Sequence, residues 1–414
     1  MSSLTYAQLF ARASRCAAAL RRCGFVSGDR IALLAKNDVS FSELACAASM
    51  IGVVLVPLNF RLAQPEIDFI VEDAEARLLF ATSQFLETAR ATRSTVEDCM
   101  DVIEITGDGN YAGWRGDTAL DEAPADNGEA VLFQMYTSGT TGQPKVALLT
   151  HANIVALCRN GVQFLGPFSQ NSRNMVCMPL FHVAGNAWLF FGLAAGCSNK
   201  LVVDIDPATV LDIITKNHIS STLMVPAVIQ MLVLAAEDSG QAISGLKTIA
   251  FGASPMPAEL LRRAQRVFVD ADFIHVYGMT ETTCMFCALD AEELRAGRRL
   301  ESCGKPFPDA DMKIMDAQGV QVATGVIGEV ICRAPQMTSG YWRRPEATSN
   351  AIQNGWYHTG DAGYVDDEEF LYIRDRIKDM LISGGENVYP AEVENAILAH
   401  TAVADVAVIG VPDA

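Results

Sequence analysis

Between Tyr136 and Lys145 the chain reads Tyr-Thr-Ser-Gly-Thr-Thr-Gly-Gln-Pro-Lys, a hydroxyl-rich loop with two glycines that ends on one lysine. Gly139 and Gly142 let the backbone curl so that several N–H groups converge on one anion. Thr137, Ser138, Thr140 and Thr141 add hydroxyl donors, and Lys145 adds a point charge after Pro144 has stiffened the exit. That is the donor set of a phosphate cradle. The commoner nucleoside-triphosphatase loop ends in Gly-Lys-Ser/Thr, whereas Lys145 lies between Pro144 and Val146; the Gly304-Lys305 pair has Arg299 where that loop's first glycine belongs. A flexible linker of small polar residues is the plain alternative, but a linker needs neither the apolar run Val131–Met135 before it nor a lone lysine at its end.

Three further segments carry chemistry. In His275-Val276-Tyr277-Gly278-Met279-Thr280-Glu281-Thr282 an aromatic residue ends a strand-like run and glycine turns the chain. Tyr277 offers a flat face for a purine, Thr280 a hydroxyl for a phosphate and Glu281 a carboxylate for a hard cation. A helix N-cap with glutamate in its first turn accounts for the same residues. In Gly355-Trp356-Tyr357-His358-Thr359-Gly360-Asp361 the aspartate follows a turn and suits two ribose hydroxyls, although an Asx-turn needs the same residue. From Ile373 onward, Arg374, Asp375, Arg376, Lys378 and Asp379 bracket Ile377 and mark an exposed connector. The Ser383-Gly384-Gly385 turn after it permits close backbone approach.

The elements that must position these groups alternate from the start. Thr5 caps a helix through Leu9, Ala13, Cys16 and Leu20, with Gly24 as its stop. Ile31–Leu34 reads as a strand, Ser40 opens a helix, Val53–Val56 is a strand, and Gln64-Pro65-Glu66 starts a third helix before Leu78–Phe80. The rhythm returns at Asn174–Cys177, Lys200–Val203, Ser221–Val225 and Thr248–Gly252. Such alternation predicts an α/β fold with mainly parallel sheets covered on both faces, whose ligands bind outside the carboxyl ends of the strands. After about Leu300, Asp311–Met315, Gly328–Cys332 and Phe370–Ile373 predict a small antiparallel subdomain. Thr82 to Gly128 carries little readable signal.

At 414 residues, half of them hydrophobic and 19% charged, the chain holds two or three subdomains and a large ordinary core. A net charge of −18 without any basic tract argues against nucleic acid. Eleven cysteines scattered singly in apolar runs fit buried, reduced thiols of a cytoplasmic protein. Cys284-Met285-Phe286-Cys287 has the spacing of a redox or metal pair, but no second pair accompanies it, and core cysteines are the simpler reading. Leu44 to Leu58, the longest apolar stretch, is too short to span a bilayer, and no secretory leader follows Met1.

The four segments, in this order, resemble the adenylate-forming superfamily of acyl-CoA synthetases, luciferases and peptide-synthetase adenylation domains, and the likeness runs from Thr5 to the last residue. Met178-Pro179-Leu180-Phe181-His182-Val183-Ala184-Gly185 resembles the family's acyl-pocket segment and Phe251-Gly252-Ala253-Ser254-Pro255 its adenine-binding turn. The resemblance implies ATP, Mg2+ and coenzyme A as reactants and cofactors. A carboxylate attacks the α-phosphorus to give acyl-AMP and pyrophosphate, and a thiol then displaces AMP. It assigns the departing phosphates to Thr137–Lys145, the magnesium to Glu281, the α-phosphate to Thr280, and the ribose to Asp361 and Arg376. Tyr277, Gly278 and the Gly252–Ser254 turn would hold adenine. His182 would stand between acyl pocket and thiol channel, a lone core histidine bonded to backbone being the alternative. The implied pocket wall (His182, Trp188, Met224, Phe251, Met285) is apolar and points to an aliphatic or aryl monocarboxylate.

The domain organisation expected is a body over 1–377, with its β subdomain at 302–376, and the start of a lid over 378–414. The same resemblance implies that Lys378 is the hinge and that Ser383, Gly384 and Gly385 line the pantetheine channel in the thioester-forming pose. Past the hinge the residues predict a strand, a helix near Pro390 and a strand over Val403–Ile409. Most of the family's lid, with its late lysine, is expected to be missing, and adenylation accordingly slow. A non-catalytic nucleotide- or acyl-binding remnant, an amino-acid adenylation domain and a luciferase-type oxygenase stay open as alternatives.

Overall fold

The computed structural model describes residues 3–105, 110–121, 128–137, 144–166, 168–383, 386–398, 403 and 406–411. Two sheets of mostly parallel strands carry the body. The first runs, edge to edge, Asp101–Ile105, Ala76–Thr82, Arg30–Leu34, Val54–Pro57, Val131–Thr137 and Lys145–Thr150; all neighbours are parallel except the last pair. The second runs Ser198–Leu201, Arg173–Val176, Ser221–Met224, Thr248–Gly252, Asp272–Tyr277, Cys287–Leu289 and Lys305–Pro306, with its last two strands antiparallel. Strands such as Val54–Pro57 and Thr248–Gly252 are buried at every position, as expected where helices cover both faces.

The local signals behave as the residues predict at the first helix, Tyr6–Arg22, where Thr5 and Gln8 form a reciprocal capping box. At the second helix the cap is Asp38, not Ser40: its carboxylate accepts from the Ser40 N–H, and the helix Val39–Ile51 ends on left-handed Gly52. Glu43 on that helix is wholly buried, and Arg12, Arg115 and Tyr111 satisfy its carboxylate. It is a structural charge, and removing either arginine leaves part of it unpaired.

The third unit is antiparallel: Asp311–Met315, Gly328–Arg333, Trp356–Val365 and Ile352–Gln353 in order, with Leu371–Arg376 added on Trp356–Val365. Trp356–Val365, which carries Asp361 after the turn at Asn354-Gly355, is a strand that the sequence reading did not assign. Gly360, at φ +72°, and a register shift between Ala362 and Gly363 break the period-two pattern that would have revealed the strand. Past Lys378, which lies exposed in a turn, come a hairpin, Leu381–Ser383 with Glu386–Val388, and a helix, Pro390–Leu398. Among the described residues of 403–411 there is no strand, contrary to expectation. The quiet stretch after Thr82 holds the helix Leu86–Thr95 and the edge strand Asp101–Ile105.

All eleven cysteines are free thiols, eight of them buried, and Cys284 and Cys287 do not pair. Burial pushes Cys16, Cys158, Cys284, Cys303 and Cys332 up to about 12. Cys46 and Cys177 rise to about 11 for the same reason. No helix among the described residues is long and apolar enough to cross a membrane.

Candidate active site

The candidate residues gather at the carboxyl ends of the second sheet. Gly252 and Val276 are register partners on adjacent parallel strands. A Cβ on Gly252 would sit 2.2 Å from the Val276 carbonyl oxygen, so only glycine lets the strands finish this close together. Ala253 follows in the left-handed region at φ +67°, and Ala253 and Ser254 are exposed. Gly278 is equally constrained, since a Cβ there would meet Met285 Cα at 2.4 Å. The turns after these two strands therefore present bare backbone to the edge.

Beside them stands Asp361, only 3% exposed. It accepts from Tyr277 Oη at 2.5 Å and from Arg376 Nε at 2.8 Å, and Arg376 is its cross-strand partner. Thr359 Oγ1 accepts the Asp361 N–H at 3.0 Å while donating to the Val330 carbonyl at 2.7 Å, which fixes the bulge that aims the carboxylate. Glu329 backs the same bulge by accepting from the Gly360 N–H and pairing with His358. Burial raises the Asp361 pKa above its ordinary 3.8, against the lowering pull of Arg376 and the Tyr277 hydroxyl. Burial, then the Asp361 charge, push Tyr277 well above 10, so its hydroxyl stays a donor. Tyr277, Asp361 and Arg376 are thus one constellation drawn from two sheets.

Ser138–Gly142 lie outside the described residues, but both ends of their loop are placed. Thr137 and Lys145 are paired residues of an antiparallel hairpin, and Thr137 Oγ1 donates to the Lys145 carbonyl at 3.2 Å. Lys145 is therefore more than the end of a loop, since it also begins the strand Lys145–Thr150. The Lys145 ammonium lies 5.4 Å from the centre of the Tyr341 ring, and Tyr341 Oη donates to Glu281 Oε1 at 2.7 Å. Glu281 sits in a 3-10 turn, Thr280–Thr282. The cap there is Thr282, whose Oγ1 accepts the Met279 N–H, so the Thr280 hydroxyl is left without a partner among the described residues.

No group of three or more His, Cys, Asp or Glu side chains that would cage a metal occurs among the described residues. One nearly buried carboxylate, Glu281, fits a magnesium ion that arrives on phosphate oxygens, since that ion commonly takes one or two carboxylates besides its nucleotide and water.

His182 precedes the helix Val183–Ala194, its ring tilted against Phe181 at 4.3 Å. It is solvent-accessible yet ringed by protein; that surrounding mass, and then Arg61, lower its pKa below 6.5. Its ring nitrogens have no partner among the described residues, so it is not a core histidine tied to backbone. What holds its segment is Asn37, which sequence reasoning missed. The buried Asn37 amide donates to the carbonyls of Met178 at 3.0 Å and Val202 at 2.9 Å, and accepts the Leu180 N–H at 2.9 Å. One side chain from the loop after the strand Arg30–Leu34 thereby pins the loop leading to His182.

The other residues expected in the pocket wall are buried side chains. Trp188 packs between Phe168 and Phe191, and its carbonyl accepts from Asn174 near the amino end of the strand Arg173–Val176. It is buried in the core, its backbone held toward the amino end of that strand. Met224 and Phe251 are register partners, Phe251 stacks on His275 at 4.9 Å, and Met285 lies under Gly278; all three are fully buried. The Ser383 backbone is in the hairpin strand, and Gly384 and Gly385 lie outside the described residues. Tyr341 was missed as well, although a glycine followed by two aromatics and two arginines, Gly340–Arg344, was signal enough to find it.

A family model described as AMP-binding enzyme matches residues 1–342. The chain is 33% identical to the fatty acid–[acyl-carrier-protein] ligase ScoC of Streptomyces coeruleorubidus over 99% of its own length and 79% of that protein's. It is 35% identical to a feruloyl-CoA synthase of Amycolatopsis sp, over 100% and 81%. Among solved structures, the Bacillus subtilis o-succinylbenzoate CoA synthetase in complex with its acyl-adenylate intermediate superposes with a TM-score of 0.88 at 30% identity, over 100% of this chain and 81% of that one.

Proposed function

Because the chain belongs to the AMP-binding enzyme family, we propose that it is an ATP-dependent acid–thiol ligase that activates an aliphatic or aryl monocarboxylic acid as acyl-AMP and passes the acyl group to coenzyme A. The observation that carries this reading is the Tyr277–Asp361–Arg376 constellation beside the bare Gly252 and Gly278 turns. It supplies a buried acceptor for ribose, a cation beside it, and open backbone for a purine edge.

In the first step a carboxylate oxygen forms a bond to the α-phosphorus while the bond to the β-phosphate oxygen breaks, releasing pyrophosphate. Both reactants are anions and the protein itself carries −18, so local cations must overcome a repulsive field. Lys145 is assigned the departing phosphates, Arg376 the ribose side, and the Thr280 hydroxyl, without a partner among the described residues, the α-phosphate. Glu281 would hold the magnesium, which supplies charge neutralisation when bound. In the second step a thiol sulfur bonds to the acyl carbon, the C–O bond to AMP breaks, and the thiol proton leaves to solvent or base. His182, neutral at pH 7 and without an intramolecular partner among the described residues, stands as the residue closest in kind to that base. Lys378, exposed in a turn, is the proposed hinge between a body over 1–377 and the lid segment over 378–414.

Names of relatives support both fatty and aryl acids, and ScoC supports a carrier-protein thiol as an alternative acceptor. The deciding experiment gives the full chain ATP, Mg2+ and one acid at a time from a panel of short, medium, long and aryl acids. Coenzyme A or a phosphopantetheinylated carrier protein is then added. Acid-dependent pyrophosphate release, with a thioester appearing only after thiol is added, is expected. Pyrophosphate release that ignores the acid, or no acyl-AMP with any acid, refutes the reading.

A further inference from the structure

Two opposite charges assigned to the triphosphate end of the site, Lys145 and Glu281, touch the same side chain, Tyr341. We propose that Tyr341 is a positioning residue that holds these charges apart and aimed while the nucleotide site is empty, so that neither neutralises the other before ATP arrives. The proposal rests on the reading of Lys145 and Glu281 given above.

Its hydroxyl is, among the described residues, the only hydrogen-bond partner of the Glu281 carboxylate, which is 8% exposed. Its ring takes the Lys145 ammonium at 5.4 Å by a cation–π contact. No ion pair joins Lys145 to Glu281 among the described residues. Two such charges at the mouth of a low-dielectric site would otherwise close on each other, and binding would first have to separate them.

The spacer is held from both sides. Tyr341 forms an antiparallel bridge with Ala147, while the Trp342 N–H donates to the Val146 carbonyl at 2.9 Å and the Leu148 N–H to the Gly340 carbonyl at 3.0 Å. Three residues earlier the Thr338 N–H donates to the Glu281 carbonyl. One short segment is therefore laced to the lysine's strand and to the glutamate's turn, and the tyrosine at its centre sets the gap. Tyr357 Oη lies 3.3 Å from Tyr341 Oη but makes no bond to Glu281.

The test is calorimetric ATP binding to the full chain in EDTA and in Mg2+, with thermal melts of each variant. Tyr341→Phe keeps the ring and the backbone lacing. It should leave ATP affinity in EDTA within about twofold of the parent and cut the gain that Mg2+ confers by about tenfold, as for one hydrogen bond to a charged group. Tyr341→Leu also releases the lysine and should weaken binding in EDTA as well. Tyr357→Phe should change neither value. In the Tyr341→Phe/Glu281→Gln double variant the two losses should not add.

If Glu281→Gln loses the Mg2+ gain while Tyr341→Phe keeps it, the proposal falls and the cation reading stands. If Glu281→Gln keeps the gain, the cation reading itself fails and takes the proposal with it. An equal loss in Tyr357→Phe overturns the proposal too, since it would mark a general cost of removing a buried hydroxyl.

Discussion

Replacing Asp361 by Asn should separate binding from stability in one residue. The carboxylate is 3% exposed and burial raises its pKa, so between 3.8 and that raised value the folded chain holds a proton the unfolded chain has lost. Stability therefore falls as pH climbs through that window, and at neutral pH the ionised carboxylate is a net cost to the fold. Its partner Arg376 is half-exposed and stays solvated when the charge goes, so the lost pair is worth less than about 1 kcal/mol. Asparagine can turn its oxygen to Arg376 and its amide to Tyr277 Oη, which then accepts. The melting temperature should hold or rise.

Nucleotide binding should respond in the opposite direction. If the carboxylate takes two ribose hydroxyls, exchanging charged for neutral acceptors forfeits about 1–2 kcal/mol each, or roughly 30- to 1,000-fold in Kd overall. Calorimetry with ATP and with AMP reads that loss, and scanning calorimetry reads the melt. A variant that melts lower yet binds AMP as tightly as the parent refutes the argument, because Asp361 would then be serving the fold alone.

Other expectations rest on the same geometry. His151, His182 and His275 are all held below 6.5 by burial, so as pH falls beneath 6.5 the unfolded chain takes up protons first and stability is lost. For buried His275 this amounts to about 1.4 kcal/mol per pH unit at most. The melting temperature of His275→Gln should thus be less sensitive to acid than the parent's, and parallel curves would contradict this. Gly252→Ala drives a methyl onto the Val276 carbonyl and should cost about 1–3 kcal/mol while weakening AMP binding; an unchanged melt would mean the strands part freely. Asn37→Ala leaves the Met178, Val202 and Leu180 backbone groups unpaired and should raise KM for the acid more than KM for ATP. Equal changes in both would show that the clamp does not govern the His182 segment.

What could be read from residues alone was whatever repeats locally. The first helix with its Thr5 cap, the buried strands and the glycine-bounded turns all obey short-range rules. The segments proposed for ribose and phosphate stood out because hydroxyls, glycines and lone charges cluster there. Long-range facts were not. That Tyr277 reaches Asp361 depends on how a parallel sheet meets an antiparallel one, and the strand carrying Asp361 hides its alternation behind the Gly360 bulge. Asn37 looked like an ordinary loop residue because its partners are some 140 to 165 positions away. Trp188 shows the opposite case: it lies near His182 in sequence, but the helix carries its backbone toward the amino end of the sheet, which its sequence neighbours do not reveal.

The buried thiols have a chemical consequence of their own. The proposed reaction creates a mixed anhydride and offers it to a sulfur nucleophile, and the attacking species is thiolate, not thiol. With Cys16, Cys158, Cys284, Cys303 and Cys332 held at about 12, internal sulfur is protonated and mute at neutral pH. The exposed cysteine, Cys23, closes the first helix and takes no part in the constellation around Asp361. An arriving thiol thus meets no rival among these five enclosed sulfurs, and burial suppresses their self-acylation, the natural hazard of a catalyst that handles activated acids.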